Sequence, residues 1–204
     1  MRGPRLVIPG AVYHLTNRGN RRAEIFGETR DYQEFQTRLG EAVRRNGRIL
    51  HAYTLMPNHM HLLVELARAT LSEGMQWLTS GYSLWRNART GQSGHVFQGR
   101  FDSRICEKES YLLELVRYIH MNPVRARLVA HPSQWPWSSH RVYMGLSDVP
   151  WVTTEPLLER FGFPGDAEHL RRFGAFVTDR FPKGIARQLA RTVRGSILGS
   201  ESFI

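Results

Sequence analysis

Two apolar segments on either side of a short turn constrain the fold of this chain more than any other feature. The segments are RILHAYTLM (48–56) and HMHLLVEL (59–66), and only Pro57 and Asn58 lie between them. Segments of this length and composition predict strands, and so short a connection predicts an antiparallel hairpin. The rest of the chain must supply the strands and helices that cover this hairpin.

The flanking segments alternate between strand and helix patterns. Strand patterns occupy 11–19 and 100–106, whereas apolar residues recur at helical spacing over 29–46, 70–89 and 110–121. The predicted order is β-α-β-β-α-β-α, and its first six elements are those of the ferredoxin-like split βαβ arrangement. We therefore predict an α+β fold in which a further helix and a small helical C-terminal appendage follow the sheet.

The composition changes at about residue 130. The segment AHPSQWPWSSH is rich in Pro, Trp and Ser and predicts an ordered strap, and the chain from residue 155 onward is basic with helical patterns, in EHLRRFGAFVTDRF and GIARQLARTV. We therefore divide the chain into a main domain, 1–130, and an appendage of strap and basic helices, 131–204.

The charge of the chain indicates an anionic partner. Lys and Arg number 28 against 18 Asp and Glu, which gives a net charge of +10, and such an excess predicts binding to nucleic acid or to an anionic membrane surface. The single cysteine, Cys106, excludes a disulfide within the chain and fits a reducing compartment. No apolar run has the length of a membrane span. We expect a cytoplasmic, nucleoid-associated protein with no membrane partner.

His59 and His61 are the first candidate site residues. Residues two apart in a strand point to the same side, so both imidazoles project together. Two imidazoles at this spacing can chelate one metal ion. The alternative is a pair of half-exposed histidines that bind nothing, which is the commoner meaning of an isolated His-x-His pattern.

The segment YIHMNP (118–123) favours the metal interpretation. Tyr118 and Asn122 are four residues apart and share a helix face. Beside a metal ion, the Asn122 oxygen could be a third ligand and the Tyr118 phenol could attack a metal-bound phosphate. The alternative is that Tyr118 packs in the core and Asn122 caps the helix, because Pro123 disfavours helical geometry at the residue before it.

Arginines near these segments favour a nucleic-acid surface. We predict that several of them line one groove with Phe97, Phe101 and Trp85, since cations with aromatic neighbours are typical of surfaces that bind single strands. A generally arginine-rich surface is the alternative. The candidates are Arg18, Arg21, Arg22, Arg100, Arg104, Arg125 and Arg127.

Five motifs in a fixed order carry a resemblance over about residues 10–140. They are YHLTNRGN, MPNHMHLLVE, VFQGRF, YIHMNPVRARLV and WPWSS. With these motifs the chain resembles the single-tyrosine HUH transposases, and within them the REP-associated tyrosine transposases of bacteria. Phe97 stands where relatives often have Trp, and the tail ILGSESFI resembles the start of a longer extension in some relatives.

The resemblance implies a metal-dependent endonuclease and strand transferase that acts on single-stranded hairpin DNA, such as REP-like palindromes, through a 5′-phosphotyrosine. His59 and His61 match the metal-binding histidines, Tyr118 matches the nucleophile, and Asn122 stands at the position of a third ligand. The implied metal is Mg²⁺ or Mn²⁺, and residues 1–130 would be the catalytic domain. Relatives include homodimers that exchange their tyrosine helices and monomers, so both states stay open.

Two other classes of protein are alternatives. A non-catalytic single-strand-binding module of ferredoxin-like fold would carry aromatic residues on its central strands, where this chain has His59 and His61. A relaxase or replication initiator of the HUH type would carry a third metal-binding histidine or a paired tyrosine. Tyr111 lies seven residues before Tyr118, which is not the usual spacing of such a pair.

Overall fold

A computed structural model describes residues 7–67, 70–106, 108–162, 167–179 and 197–198. The main elements are β1 (Val12–Arg18), α1 (Thr29–Asn46), β2 (Arg48–Met56), β3 (His59–Leu66), α2 (Leu71–Thr90), β4 (Asp102–Cys106) and α3 (Lys108–Arg125). The later elements are α4 (His140–Tyr143), α5 (Glu155–Leu158), α6 (Ala167–Thr178) and β5 (Ile197–Leu198). The predicted order β-α-β-β-α-β-α and the α+β class are confirmed.

The strands form one sheet in the order β2-β3-β1-β4-β5. The pairs β2–β3, β3–β1 and β1–β4 are antiparallel, and β5 pairs in parallel with β4. No strand was predicted in the tail that contains β5, and the helix predicted over GIARQLARTV lies outside the described residues.

Side-chain alternation divides the sheet into two faces. Tyr53 of β2 points to the face covered by α1, where its hydroxyl accepts a hydrogen bond from Gln36 at 2.7 Å. Its neighbour Thr54 points to the opposite face, where its hydroxyl donates to the carbonyl of Ile119 in α3 at 2.9 Å. His61 pairs directly with Thr54 across the hairpin and therefore lies on the α3 face.

Helix α3 continues through Pro123 to Arg125, although we predicted its end at residue 121. Proline has no N–H, so the carbonyl of Ile119, four residues earlier, loses its helical donor. The Thr54 hydroxyl donates to that same carbonyl and replaces the missing hydrogen bond. The expectation that Pro123 would end the helix near Asn122 is wrong because the sheet supplies this donor.

The Trp-rich strap packs against β2 and α1. Trp137 stacks on Tyr32 with ring centroids 4.5 Å apart, and its carbonyl accepts from the backbone N–H of Leu55 at 2.9 Å. The indole of Trp135 donates to the Leu55 carbonyl at 3.0 Å. Phe173 of α6 is fully buried and belongs to the same hydrophobic cluster as the sheet, so the cluster extends into residues 131–179.

Two buried histidines lie between α3, the strap and α6. His120 lies 2.9 Å from the Ser139 hydroxyl through Nε2, whereas neither ring nitrogen of His140 has a hydrogen-bond partner within the described residues. Burial lowers the pKa of His140 to about 4 and holds the pKa of His120 well below its usual value. Both rings are therefore neutral at pH 7.

None of the helices in the described ranges is both long and apolar enough to cross a membrane.

Replacing Thr54 with Val should lower the free energy of unfolding by about 1–3 kcal/mol, because the buried Ile119 carbonyl is left without a donor. Pro123→Ala restores a backbone N–H four residues after Ile119. The cost of Thr54→Val should therefore be smaller in the Pro123→Ala background. Urea unfolding of the native protein, the two single variants and the double variant measures this coupling as a double-mutant cycle. Equal costs of Thr54→Val in the two backgrounds would contradict the replacement of the missing hydrogen bond by Thr54.

The free energy of unfolding should fall as the pH is lowered from about 6.5 to about 4. In that range His120 and His140 become protonated in the unfolded chain but stay neutral in the folded chain. For a group whose pKa is lowered to about 4, this difference reduces the free energy of unfolding by roughly 3 kcal/mol. His140→Phe keeps the stacking on Phe173 and removes one such group. Urea unfolding across this pH range should show a shallower loss for the variant, and parallel curves would argue against the assignment.

Candidate active site

A cavity of about 320 Å³ opens on the α3 face of the sheet. It contains both histidines of the MPNHMHLLVE motif and the tyrosine of α3, so the structure brings Tyr118 to a pair of histidines that lie far from it in the sequence. Its lining residues are His14, Thr16, Asn17, Arg18, His59, His61, Gln98, Arg100, Asp102, Arg104 and Tyr118.

Asn58 in the hairpin turn orients the imidazole of His59. The Asn58 amide nitrogen donates to the carbonyl of Arg22 at 3.2 Å, so the amide oxygen faces His59 Nδ1, 2.7 Å away. An amide oxygen only accepts hydrogen bonds, so His59 Nδ1 carries the hydrogen. His59 Nε2 therefore keeps its lone pair for a metal ion.

His61 has a similar arrangement deeper in the cavity. Its Nδ1 lies 3.0 Å from Nε2 of His14, and its ring centroid is 5.0 Å from that of His59. Metal-binding histidines in proteins usually have their second ring nitrogen hydrogen-bonded in this way. The two imidazoles therefore fit a metal site in which both ligate through Nε2.

The imidazoles of the cavity are neutral at pH 7. Burial lowers the pKa of His14 and of His59 to about 4, and nearby positive charge acts in the same direction. Burial is also the main cause that holds the pKa of His61 well below its usual value. Neutral imidazole is the form that binds metal ions.

Tyr118 lies on α3 with its ring facing these histidines. The ring centroid is 5.8 Å from that of His61 and 6.1 Å from that of His14, and both contacts are edge-on. The guanidinium of Arg125 lies over the Tyr118 ring, 5.0 Å from its centroid. This cation–π contact stabilises the orientation of the tyrosine at the cavity.

Asn122 does not line the cavity. Its side-chain amide donates to the backbone carbonyl of Tyr118 at 2.8 Å, one helical turn back. Tyr111 is half-buried against the core and is also absent from the cavity lining. Within the described ranges, no group of three or more His, Cys, Asp or Glu side chains is arranged to hold a metal ion.

The predicted arginines divide into two groups. Arg18, Arg100 and Arg104 line the cavity, where Arg104 forms an ion pair with Asp102 at 3.3 Å. Three guanidiniums against one carboxylate give a cationic cavity that attracts phosphate. The others are exposed outside the cavity lining, namely Arg21, Arg22, Arg125 and Arg127.

The turn after β1 has an unusual backbone. Arg21 and Arg22 have φ angles of 53° and 62°, a left-handed conformation that is uncommon for residues with a side chain. The turn folds so closely onto Gly19 that a Cβ atom there would lie 2.0 Å from the carbonyl oxygen of Ala23. Glycine is therefore required at this position of the YHLTNRGN motif, and the turn holds its two arginines outward.

Phe97 and Phe101, which were predicted to share a groove with the arginines, do not line the cavity that holds Tyr118. Their side chains are only 8% and 6% exposed and belong to the hydrophobic core. Trp85 is half-buried and packs on Tyr82 and Arg89. Little of either ring is therefore exposed for stacking on a base, and the cavity offers cations and imidazoles instead.

Sequence reasoning missed His14, Asn58 and Asp102. His14 lies in YHLTNRGN, and strand alternation puts it on the same side as Thr16 and Arg18. That alternation predicts the face of the sheet on which His14 lies. Its contact with His61 depends on the pairing of β1 with β3, which is not encoded in either segment alone.

Comparisons with known proteins agree with the geometry. The sequence model of the family described as "Transposase IS200 like" matches residues 8–122, which is more than half of the chain and includes His14, His59, His61 and Tyr118. The REP-associated tyrosine transposase of Escherichia coli (strain K12) is 29% identical over 153 residues, which cover 72% of this chain and 88% of that protein. A solved structure of a REP-associated tyrosine transposase bound to a REP hairpin is 25% identical, with a TM-score of 0.60, and the match covers 75% of this chain and 92% of that chain.

Proposed function

The chain belongs to the IS200-like transposase family, and we propose that it is a metal-dependent endonuclease and strand transferase acting on single-stranded DNA beside a hairpin. The observation that carries the proposal is that Tyr118, His59 and His61 share one cationic cavity. A nucleophile, a pair of neutral metal-binding imidazoles and guanidiniums are the groups that phosphoryl transfer uses. The strand order supports a ferredoxin-like arrangement in which α3 is the catalytic helix.

The proposed substrate is a DNA hairpin such as a REP-like palindrome. The similar solved structure contains a REP hairpin, and this chain has a net charge of +10. We assign Arg18, Arg100 and Arg104 to phosphates at the cleavage site, because they line the cavity with Tyr118. Arg21, Arg22, Arg125 and Arg127 would contact the flanking backbone, since phosphate contacts supply most of the affinity for DNA.

The proposed reaction is a transesterification at phosphorus. The Tyr118 oxygen forms a bond to the scissile phosphorus and releases its proton to water. The bond from phosphorus to the 3′-oxygen breaks, and this oxygen takes up a proton to leave a free 3′-OH. The other side of the break remains as a 5′-phosphotyrosine, which conserves the phosphodiester bond energy so that a 3′-OH can rejoin the strand without ATP.

His59 and His61 would hold the metal ion, Mg²⁺ or Mn²⁺, through their Nε2 atoms. When bound, the ion polarises the scissile phosphate and stabilises the charge that develops during transfer. Two imidazoles leave the remaining coordination positions to oxygen ligands, which these metals prefer. Asn122 does not line the cavity, so its amide oxygen would have to move into the cavity to become the third ligand.

The geometry favours this function over the two alternatives. A non-catalytic single-strand binder would present aromatic faces, and Phe97 and Phe101 are buried. An initiator with paired tyrosines would bring both to the metal site, and Tyr111 does not line the cavity.

Replacing both His59 and His61 with Ala should reduce cleavage of a single-stranded hairpin substrate below detection. Hairpin binding should change less than about threefold, because arginine–phosphate contacts supply most of the affinity. Gel-based cleavage in Mn²⁺ and fluorescence anisotropy in EDTA measure the two properties separately. Full cleavage by the double variant, or by the native protein in EDTA, would overturn the metal assignment.

Tyr118→Phe removes only a hydroxyl and should abolish the covalent protein–DNA adduct while Mn²⁺ and hairpin binding persist. Tyr111→Phe is the matched control, and it should form the adduct at the native rate because Tyr111 lies outside the cavity. Denaturing gels detect the adduct, and mass spectrometry locates it. An adduct on Tyr111, or one that forms in Tyr118→Phe, would refute the assignment of the nucleophile.

A further inference from the structure

His14 is a buried side chain of the cavity that takes no part in the proposed transesterification. It lies on the central strand β1, opposite Leu63 of β3 and Arg104 of β4, and only 6% of it is exposed. Its Nε2 atom lies 3.0 Å from Nδ1 of His61. Its Nδ1 atom is buried and has no hydrogen-bond partner among the described residues.

The contact between the two rings decides whether His61 can bind a metal ion. A neutral imidazole carries one hydrogen, and the nitrogen without it is the ligand. If His14 Nε2 donates to His61 Nδ1, then His61 carries its hydrogen on Nε2 and cannot ligate through that atom. If His61 Nδ1 donates to His14 Nε2, then His61 Nε2 has a free lone pair.

We propose that His14 is a positioning residue that accepts the Nδ1 hydrogen of His61 and so directs the Nε2 lone pair of His61 toward the metal ion. This inference rests on the proposed function, because it concerns the same metal site. Asn58 performs the corresponding role for His59, whose Nδ1 hydrogen it accepts. Each proposed ligand thus has its own hydrogen-bond acceptor behind it, as is usual for histidine ligands.

Among the described residues, His14 is the hydrogen-bond partner found for His61 Nδ1. The two rings are nearly parallel, with an angle of 15° and a centroid distance of 5.2 Å, which fits a hydrogen bond lying in the plane of both rings. The Tyr118 ring lies nearly perpendicular to the same His14 ring, with the centroids 6.1 Å apart. His14 is therefore in contact with both a proposed metal ligand and the proposed nucleophile.

Two substitutions separate the hydrogen bond from the packing. In His14→Gln, the amide oxygen occupies a position similar to that of imidazole Nε2 and can accept from His61 Nδ1. In His14→Phe, a ring of similar size fills the site without an acceptor. Isothermal titration calorimetry with Mn²⁺ should show a Kd raised about 10–100-fold in His14→Phe, and a Kd within about threefold of the native value in His14→Gln.

Native Mn²⁺ affinity in His14→Phe, or equal losses in the Phe and Gln variants, would overturn the role of His14 while leaving the metal site intact. A native protein that binds no Mn²⁺ would overturn the metal site and the role of His14 together. Hairpin binding in EDTA should be native in both variants, which shows that they are folded.

A spectroscopic measurement on the native protein tests the same idea without substitution. With ¹⁵N-labelled histidine and saturating Mg²⁺, long-range ¹H–¹⁵N spectra distinguish protonated from unprotonated ring nitrogens. The spectra should show a protonated Nδ1 on His61 and an unprotonated Nε2 on His14. A protonated Nε2 on His14 in the metal-bound protein would exclude the proposed hydrogen bond.

Discussion

The candidate active site depends on the antiparallel pairing of β1 with β3. This register sets Arg18 opposite His59 and Thr16 opposite His61. Directly opposed residues of an antiparallel pair point to the same face, so a slip of one residue would turn both histidines toward the helices on the other face. Because β1 also pairs with β4, the same strand sets His14 opposite Arg104. One central strand therefore places the proposed metal ligands, their buried neighbour and the cations of the cavity.

The second requirement is that the tyrosine helix lies at a fixed position over this pairing. Thr54 pairs with His61 across the hairpin and also donates to the Ile119 carbonyl, next to Tyr118 in sequence. Pro123 leaves the Ile119 carbonyl without a helical donor, and the hydrogen bond from Thr54 to this carbonyl connects α3 to the strand beside the histidines. Behind α3, Phe173 and Tyr143 stack at 4.8 Å against its buried side, so the later part of the chain supports the same helix.

The arginines of the cavity help to keep its histidines neutral and also favour the binding of phosphate. Burial and the charges of Arg18 and Arg104 keep His59 and His61 neutral by lowering their pKa values. Neutral imidazoles are available to a metal ion, and the same guanidiniums favour an approaching phosphate. A cavity with protonated histidines would still attract phosphate but would repel the cation.

Local sequence patterns determined the order of elements, the hairpin at Pro57 and the common side of His59 and His61, because side-chain periodicity follows directly from strand and helix geometry. Family motifs then identified Tyr118 as the candidate nucleophile. Tertiary contacts decided the rest. In the folded chain Phe97 and Phe101 are buried, the Asn122 amide donates to the Tyr118 carbonyl of its own helix, and His14 lies within hydrogen-bond distance of His61. His14 and His61 are 47 residues apart, and Thr54 and Ile119 are 65 apart. Such partners are set by strand register and helix docking, which no local pattern specifies.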